Sequence, residues 1–287
     1  MKLSPKKMFF LLICFLNFSV PLFAYKWELS ATMIFQDEAP YLKEWIEYHK
    51  LVGVQHFYLY NNNSTDDYLG VLQPYIKDGI VELREWNYAF DDNDLSKWNH
   101  IQCAAYMDAL EQCKKKTRWL MILDSDEFFV PTADKDLISM LNRFKNDEKL
   151  AAVYGKWIFF GTSHVEMIPD NKLMIELLLM NSGAPGPKAS YKGINRPDRV
   201  ALIQNPHWIE PKEGFKTMHL KTNLLQVNHY WTRDEYYLHN VKIPRREKIG
   251  TPRETVLQWA ESQNGPANEF SLPIIRYVPK LHKRMGF

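Results

Sequence analysis

The chain has 287 residues, enough for one or two domains. Hydrophobic residues make up 46% and charged residues 24%, a composition that excludes a disordered chain. The formal net charge of +2 and the absence of a long Lys/Arg run exclude a typical nucleic-acid-binding protein, so no nucleic-acid partner is expected.

The first 24 residues form a predicted targeting segment. A cationic start, residues 1–7, precedes a nearly uninterrupted apolar run, residues 8–24. This arrangement is typical of a cleaved signal peptide, and at roughly 17 residues the run also reaches the lower limit for an uncleaved membrane anchor. We therefore expect residues 25–287 to be translocated, either to the periplasm or outside the cell or into the lumen of the secretory pathway.

From residue 27 onward the hydrophobic pattern alternates between strands and helices. Strands are predicted at residues 27–35, 56–60, 80–83 and 119–123, the last a continuous apolar run typical of a central strand. Helices are predicted from Asp37 or Glu38 to Gly53, at about residues 66–76, and at residues 98–113. Strands separated by helices imply right-handed crossovers, so we predict an α/β fold with a mostly parallel sheet flanked by helices.

The second half of the chain is less regular. It contains a predicted helix at residues 137–144, a strand at 151–160, a long loop at 183–197, a strand at 224–229 and a helix at 233–247. The long loop is rich in Gly and Pro, which is typical of a lid or a disordered segment. Because there is no internal repeat and no clear linker, residues 25–287 are predicted to form one domain with a helical addition at the C-terminal end.

Two cysteines, Cys103 and Cys113, fall on one predicted helix. About ten residues of helix would separate them by roughly 15 Å, whereas a disulfide needs Cα atoms less than about 7 Å apart. We therefore expect free thiols.

The acidic stretch Asp124-Ser125-Asp126-Glu127 follows the central apolar strand. In an extended chain Asp124 and Asp126 point to the same side, where two like charges repel unless a cation lies between them. A hard divalent ion bound by these oxygen ligands would remove the repulsion, and it would neutralise the charge on a departing diphosphate. The alternative is a polar cap on the strand that begins a turn.

A second polar stretch, residues 61–67, follows the strand at 56–60. In mostly parallel sheets ligands bind outside the carboxyl ends of the strands, so this stretch and the acidic one should face the same crevice. The side chains of Asn61, Asn62 and Asp66 could hydrogen-bond a nucleoside there. A turn followed by a helix N-cap is the competing interpretation.

Three later side chains could return to the same crevice. His229 follows a strand and is a candidate third metal ligand, with a core histidine as the alternative. Lys192 and Arg196 could clamp a pyrophosphate, with an ordinary solvated loop as the alternative.

Aromatic residues reach 14% of the chain, which suits both stacking on sugars and an aromatic core. Trp157, Phe160 and Gly161 are the candidate sugar platform, although an aromatic core strand explains them equally well. His164 and His207 are weaker loop candidates. The sequence lacks Gly-x-Gly-x-x-Gly, Walker and Gly-x-Ser-x-Gly motifs and any zinc-type Cys/His spacing, which excludes those classes of site.

Taken in order, several blocks resemble glycosyltransferase family 92 and the closely related family-2-like group. They are residues 34–42, 44–49 and 53–66, then Gln102, and then residues 124–128, 157–161 and 227–230. The resemblance covers about residues 28–240. It implies a GT-A fold, a nucleotide-sugar donor expected to be UDP-linked, Mn²⁺ or Mg²⁺, and inverting transfer to a hydroxyl of a glycan or glycoconjugate acceptor.

The resemblance also assigns site residues. Donor binding falls to Phe35, Glu38, Asn61, Asn62, Asp66, Gln102, Asp124, Lys192 and Arg196. Acceptor binding falls to Trp157, Phe160, Gly161 and His164, and the metal to the Asp-x-Asp motif residues Asp124 and Asp126 together with His229. No motif marks the catalytic base, for which Glu127, Glu166 and Glu176 are candidates.

Two other classes of function stay open at this point. A secreted, lectin-like carbohydrate-binding module would keep the fold and the aromatic residues but not turnover. A nucleotidyltransferase would use a similar crevice and release pyrophosphate.

Overall fold

The computed structural model describes residues 25–88, 95–183, 190–265 and 270–287. The predicted targeting segment, residues 1–24, lies outside the described residues, as does part of the predicted long loop, residues 184–189. Within the described ranges, every helix is too short or too polar to cross a membrane.

Strands and helices alternate through the first half of the chain. The strands are β1 (Trp27–Phe35), β2 (His56–Asn61), β3 (Val81–Glu85), β4 (Thr117–Ile122), β5 (Glu127–Pro131), β6 (Leu150–Phe159), β7 (Tyr191–Asn195), β8 (Val200–Asn205), β9 (Trp208–Pro211), β10 (Lys216–His219) and β11 (Leu225–His229). The α-helices are α1 (Ala39–Leu51), α2 (Tyr68–Lys77), α3 (Leu95–Cys113), α4 (Leu137–Leu141), α5 (Met174–Leu177), α6 (Glu235–Tyr237), α7 (Ile243–Lys248), α8 (Arg253–Asn264) and α9 (Val278–Met285). Short 3₁₀ turns occur at Asn142–Phe144, Pro197–Arg199 and Pro273–Tyr277, and a π-helical turn, Leu238–Lys242, joins α6 to α7.

One large sheet organises the molecule. Its strand order is β3-β2-β1-β4-β7-β6-β11-β5, with β10 also paired to β6, and β8 and β9 form a separate hairpin. The pairs β1–β2, β1–β4, β2–β3, β6–β10 and β6–β11 are parallel, whereas β7 runs antiparallel to β4 and β6, and β5 runs antiparallel to β11. The prediction of an α/β fold with a mostly parallel sheet flanked by helices is confirmed.

The side chains of β1 point alternately to the two faces of the sheet, and a helix covers each face. Met33 packs into the core that contains Trp45 of α1, and Ile34 packs into the core that contains Tyr106 of α3. Helix α1 ends before Gly53, whose φ of 110° suits glycine. Met121 and Leu120 of β4 pack into the same two cores, so both faces of β4 are covered, as its apolar sequence predicts.

The prediction of a loop at residues 183–197 is wrong for Tyr191–Asn195, which form β7. This strand is buried between β4 and β6. Its sequence, Tyr-Lys-Gly-Ile-Asn, shows neither alternation nor an apolar run. Its buried Lys192 pairs with Asp124, which lies between β4 and β5, and with Glu127 of β5. Strand β5 also escaped prediction, since it begins at Glu127 within the acidic stretch and no Gly or Pro between β4 and β5 marks a turn.

Cys103 and Cys113 are buried free thiols on α3, as predicted. Burial raises the pKa of the Cys113 thiol above its ordinary value, so this side chain behaves as a small apolar residue in the core.

Glu44 on α1 gives the fold a testable pH dependence. Its carboxylate accepts hydrogen bonds from the amides of Met174 and Ile175 at 3.0 and 3.1 Å, and burial raises its pKa from 4.5 to about 7. A raised carboxyl pKa means that the folded state binds the proton more tightly, so stability is lost as pH rises from 4.5 to about 7. Relative to Glu44→Gln, the wild-type free energy of unfolding should fall by up to about 3 kcal/mol between pH 4.5 and 7.5.

Urea unfolding of both proteins at several pH values measures this difference. A wild-type-minus-variant difference that stays constant with pH would exclude Glu44 as its source.

Candidate active site

A cavity of about 890 Å³ opens at the carboxyl ends of β1 and β4. Its wall contains all three predicted metal ligands and, of the predicted donor-binding residues, Phe35, Glu38, Gln102 and Asp124. Of the predicted acceptor residues it contains Trp157. This volume lies toward the upper end of the roughly 300–1,000 Å³ typical of small-molecule sites.

A buried lysine holds the first part of the acidic stretch. The Lys192 ammonium, from β7, lies 2.9 Å from Asp124 Oδ2 and 3.1 Å from Glu127 Oε2. The Asp124 amide also donates to Glu127 Oε2 at 2.8 Å, and Tyr106 donates its hydroxyl to Asp124 Oδ1 at 3.3 Å. The Lys192 and Glu127 side chains are fully buried, whereas Asp124 is 32% exposed.

The charges of this group depend on each other. Burial alone would lower the pKa of Lys192, but the carboxylates of Asp124 and Glu127 raise it, so the ammonium stays charged. Burial raises the pKa of Glu127 to about 7, against the lowering effect of Lys192. The lysine therefore fixes the direction of Asp124 toward the cavity and compensates two acids with one charge.

Asp126 lies at the centre of the site. Its Oδ1 is 3.5 Å from His229 Nε2, and its Oδ2 is 3.8 Å from the Lys242 ammonium. Burial alone would raise the pKa of Asp126, but His229, Lys242 and Arg233 together lower it well below its ordinary value. Asp126 is thus ionised at all ordinary pH values.

Asp126 and His229 are the residues that could hold a divalent ion. A carboxylate oxygen and an imidazole nitrogen face each other at the cavity wall, and both are ligands that Mn²⁺ accepts. In the described part of the chain no cluster of three or more His, Cys, Asp or Glu side chains could hold a metal alone. A pair of protein ligands instead suits an ion that completes its coordination with phosphate oxygens and water.

Arg233 supports the acidic stretch from behind and was not predicted as a site residue. Its guanidinium donates to Ser125 Oγ at 3.1 Å and to Glu38 Oε2, and it lies 3.5 Å from the ring centre of Tyr41 and 4.3 Å from that of Tyr237. Its backbone has a φ of 51°, uncommon for a residue with a side chain. Its position four residues after the end of the buried β11 gives no signal of this role.

Three basic residues on the cavity wall also escaped sequence analysis. Lys242, at the end of the π-helical turn, and Arg245 and Arg246 of α7 line the cavity. Burial lowers the pKa of Lys242 to about 8, against the raising effect of Asp126. The Lys/Arg-rich stretch at residues 242–248 was a visible signal, but its placement beside the acids depends on how the chain returns after β11.

The polar turn after β2 lies on the same sheet edge but outside the cavity wall. Asn61 donates its amide to Glu85 Oε2 at 2.7 Å, and its oxygen accepts the Ser64 amide at 3.0 Å. Asn62 donates to the Trp86 carbonyl at 2.6 Å. These contacts hold the turn against β3, while Asn62 Oδ1 has no hydrogen-bond partner among the described residues. The nucleoside role of this turn stays a prediction.

Asp66 has a similar structural contact. Its Oδ2 accepts the Ala39 amide at 2.7 Å, which caps the first turn of α1 although Asp66 is distant in sequence. Arg196 lies outside the cavity wall too, with its guanidinium 5.1 Å from the ring centre of Trp119 and 3.9 Å from Asp198.

The predicted acceptor residues divide into two groups. Trp157 lines the cavity, where its ring lies 4.5 Å from that of His229 and 5.0 Å from that of His207. Phe160 is fully buried, and His164 is exposed outside the cavity wall. His207 also lines the cavity, and burial lowers its pKa to about 4, so its imidazole is neutral.

Gly161 permits a close packing contact. A Cβ atom at this position would lie 2.6 Å from the backbone nitrogen of Asn264 and 2.2 Å from its Oδ1. The Asn264 side chain accepts the Ser163 amide at 2.9 Å. The glycine therefore lets the end of α8 pack against the end of β6, which brings α8 to the cavity.

The three candidate bases all lie outside the cavity wall. Glu127 is buried against Lys192, as described above. Glu166 is exposed at the surface. Glu176 accepts the Leu173 amide at 3.0 Å and pairs with His282 at 2.8 Å. The geometry thus assigns no base.

Comparison with known proteins places the chain in a family. The sequence profile of glycosyltransferase family 92 matches residues 30–265, so the chain belongs to glycosyltransferase family 92, as its motifs predict. It is 26% identical over 253 residues to a family 92 protein of Arabidopsis thaliana and 26% identical over 250 residues to one of Ricinus communis. Each match covers 83% of this chain and 40% of the relative, so the chain spans about two fifths of the length of these curated relatives.

Solved structures give more distant similarities. TarS 1-349 of S. aureus aligns with a TM-score of 0.42 and 11% identity, covering 82% of this chain and 70% of that one. Glucosyl-3-phosphoglycerate synthase of Mycobacterium tuberculosis aligns with a TM-score of 0.37 and 12% identity, covering 78% of this chain and 81% of that one.

Proposed function

We propose that the protein is a metal-dependent glycosyltransferase that moves a sugar from a nucleotide-sugar donor, UDP-linked by expectation, to a hydroxyl of a glycan or glycoconjugate acceptor. Family membership supports the reaction class. The observation that carries the proposal is the meeting of Asp126, His229 and Lys242 on the wall of one large cavity at a strand end. An ionised acid beside an imidazole and a cation is an arrangement that can bind a diphosphate together with its counter-ion.

Different residues of the cavity wall would bind different parts of the donor. Asp126 and His229 would hold Mn²⁺ or Mg²⁺, which supplies neutralisation of the charge that develops on the departing diphosphate. Lys242, Arg245 and Arg246 line the cavity and add positive charge in the same region. Lys192 orients Asp124, whose partly exposed carboxylate could accept hydrogen bonds from hydroxyl groups of the nucleotide-sugar.

Transfer with inversion needs an acceptor oxygen that attacks from the face opposite the diphosphate. The acceptor hydroxyl must lose its proton as the new bond to the sugar carbon forms and the bond to the diphosphate oxygen breaks. Trp157 and His207 lie on the cavity wall and can exclude water from that region.

A donor panel tests the proposed function. Purified protein is incubated with UDP-, GDP- and ADP-sugars, with Mn²⁺ or with EDTA, and release of nucleoside diphosphate is measured. We expect release from a UDP-sugar with Mn²⁺ and its loss with EDTA.

Other outcomes identify the competing classes. Glycan binding by calorimetry without release of any nucleotide would favour a lectin-like module. Pyrophosphate formed from a nucleoside triphosphate and a sugar phosphate would favour a nucleotidyltransferase.

A further inference from the structure

Helix α8 forms an uncharged part of the cavity wall. Trp259, Ser262 and Gln263 of this helix line the cavity. Trp259 is 45% exposed, an unusual degree for so large an apolar side chain. Ser262 donates its hydroxyl to the Trp259 carbonyl at 2.7 Å, which leaves the indole and the Gln263 amide as the groups offered to a ligand.

Gln263 carries a polar atom without a partner. The side chain is only 8% exposed, and its Oε1 is buried without a hydrogen-bond partner among the described residues. A buried amide oxygen in this condition is unfavourable unless a ligand or water donates to it. Trp259 and Gln263 are four residues apart on α8, so their side chains lie on the same helix face.

Trp231 separates this face from the charged part of the cavity. Its ring lies 6.3 Å from that of Trp259 at an interplanar angle of 66°. The Lys242 ammonium is 4.9 Å from the centre of the Trp231 ring, and the Arg246 guanidinium is 5.4 Å from it. An anionic group thus belongs on the cationic side of Trp231, and a neutral ligand belongs on the α8 side.

We infer that Trp259 and Gln263 form the subsite that binds a neutral pyranose ring of the acceptor. The indole stacks on the apolar C–H face of the sugar, and Gln263 Oε1 accepts a hydrogen bond from a sugar hydroxyl. This inference rests on the proposed function. An acceptor subsite would also account for the cavity volume of about 890 Å³, which can hold a second sugar ring beside the donor.

The test separates acceptor binding from donor chemistry. Initial rates of UDP release are measured at saturating UDP-sugar with methyl glycosides of glucose, galactose, mannose and N-acetylglucosamine as acceptor probes. Trp259→Ala should raise the KM for the active glycoside about tenfold, and Gln263→Leu should raise it about threefold to tenfold. Trp259→Phe keeps a ring and should retain most of the affinity.

In both variants the KM for the glycoside should rise much more than the KM for the donor. Gln258→Ala, an exposed change on another face of α8, is the matched control and should leave all constants unchanged. Saturation-transfer NMR with UDP and Mn²⁺ gives a readout that is independent of turnover. Wild type should transfer saturation to the active glycoside, and Trp259→Ala should transfer much less at the same glycoside concentration.

An unchanged glycoside KM in Trp259→Ala would overturn the subsite while leaving the proposed function intact. So would a wild type that hydrolyses the donor but neither accelerates with nor binds any of the four glycosides. A wild type that releases no nucleotide from any donor would instead contradict the proposed function itself, and the subsite with it.

Discussion

Replacing Asp126 by Asn is expected to lower UDP release from the donor by about 10²-fold to 10³-fold, because a carboxylate that would hold the metal becomes a neutral amide. The change keeps the size of the side chain. It leaves the Lys242 ammonium without the nearby Asp126 carboxylate, so the cavity also becomes more positive and less suited to a divalent ion. Initial rates with Mn²⁺ measure the effect.

Two controls make this result specific. Asp170→Asn makes the same chemical change at an exposed position outside the cavity and should keep full activity. Circular dichroism should show that Asp126→Asn is folded. Full activity in a folded Asp126→Asn protein would remove the metal role from this residue.

Replacing Lys192 by Met is expected to cost about 3–5 kcal/mol of stability, because it leaves the carboxylates of Asp124 and Glu127 close together without their shared cation. The cost should be smaller at pH 5 than at pH 8. Burial already raises the pKa of Glu127 to about 7, and the loss of the ammonium removes the effect that lowers it, so this acid is neutral at the lower pH. Urea unfolding at both pH values measures the change.

The double variant Lys192→Met with Glu127→Gln should recover part of the lost stability, since one of the two uncompensated charges is removed. Lys145→Met changes an exposed lysine and should be nearly neutral. A loss of less than about 1 kcal/mol in Lys192→Met at pH 8 would show that the buried pair contributes no more than a surface ion pair.

The acidic stretch and His229 could be located from the sequence because neighbouring residues mark them. The apolar run before Asp124 marks a central strand, and acids at its end are hard to explain as surface. His229 was placed by the late strand before it, and the structure brings it to 3.5 Å from Asp126. Both signals depend only on neighbouring residues.

The other features of the site depend on contacts between segments that are distant in the sequence. Lys192 was assigned to the site, but the strand that carries it was predicted as a loop, because a buried lysine is stable only opposite acids that lie 65 or more residues away. The nucleoside role of Asn61 and Asp66 stays a prediction, and their hydrogen bonds to Glu85 and to the Ala39 amide had no signal in the sequence. No periodicity encodes which of several partners a polar side chain will meet.

The C-terminal part of the cavity illustrates the same limit. Trp259 and Gln263 lie on an amphipathic helix whose sequence carries no motif, and they reach the cavity because Gly161 lets Asn264 pack against the end of β6. That contact joins residues about a hundred positions apart. A local pattern cannot reveal it.

A calorimetric titration of the protein with UDP, with Mn²⁺ or with EDTA, tests the diphosphate site most directly. We expect binding with Mn²⁺, and an affinity about tenfold or more weaker with EDTA or in Asp126→Asn, since a charge-assisted contact to the diphosphate is lost. Absence of UDP binding with Mn²⁺, or equal affinity in wild type and Asp126→Asn, would contradict a diphosphate site at this strand end.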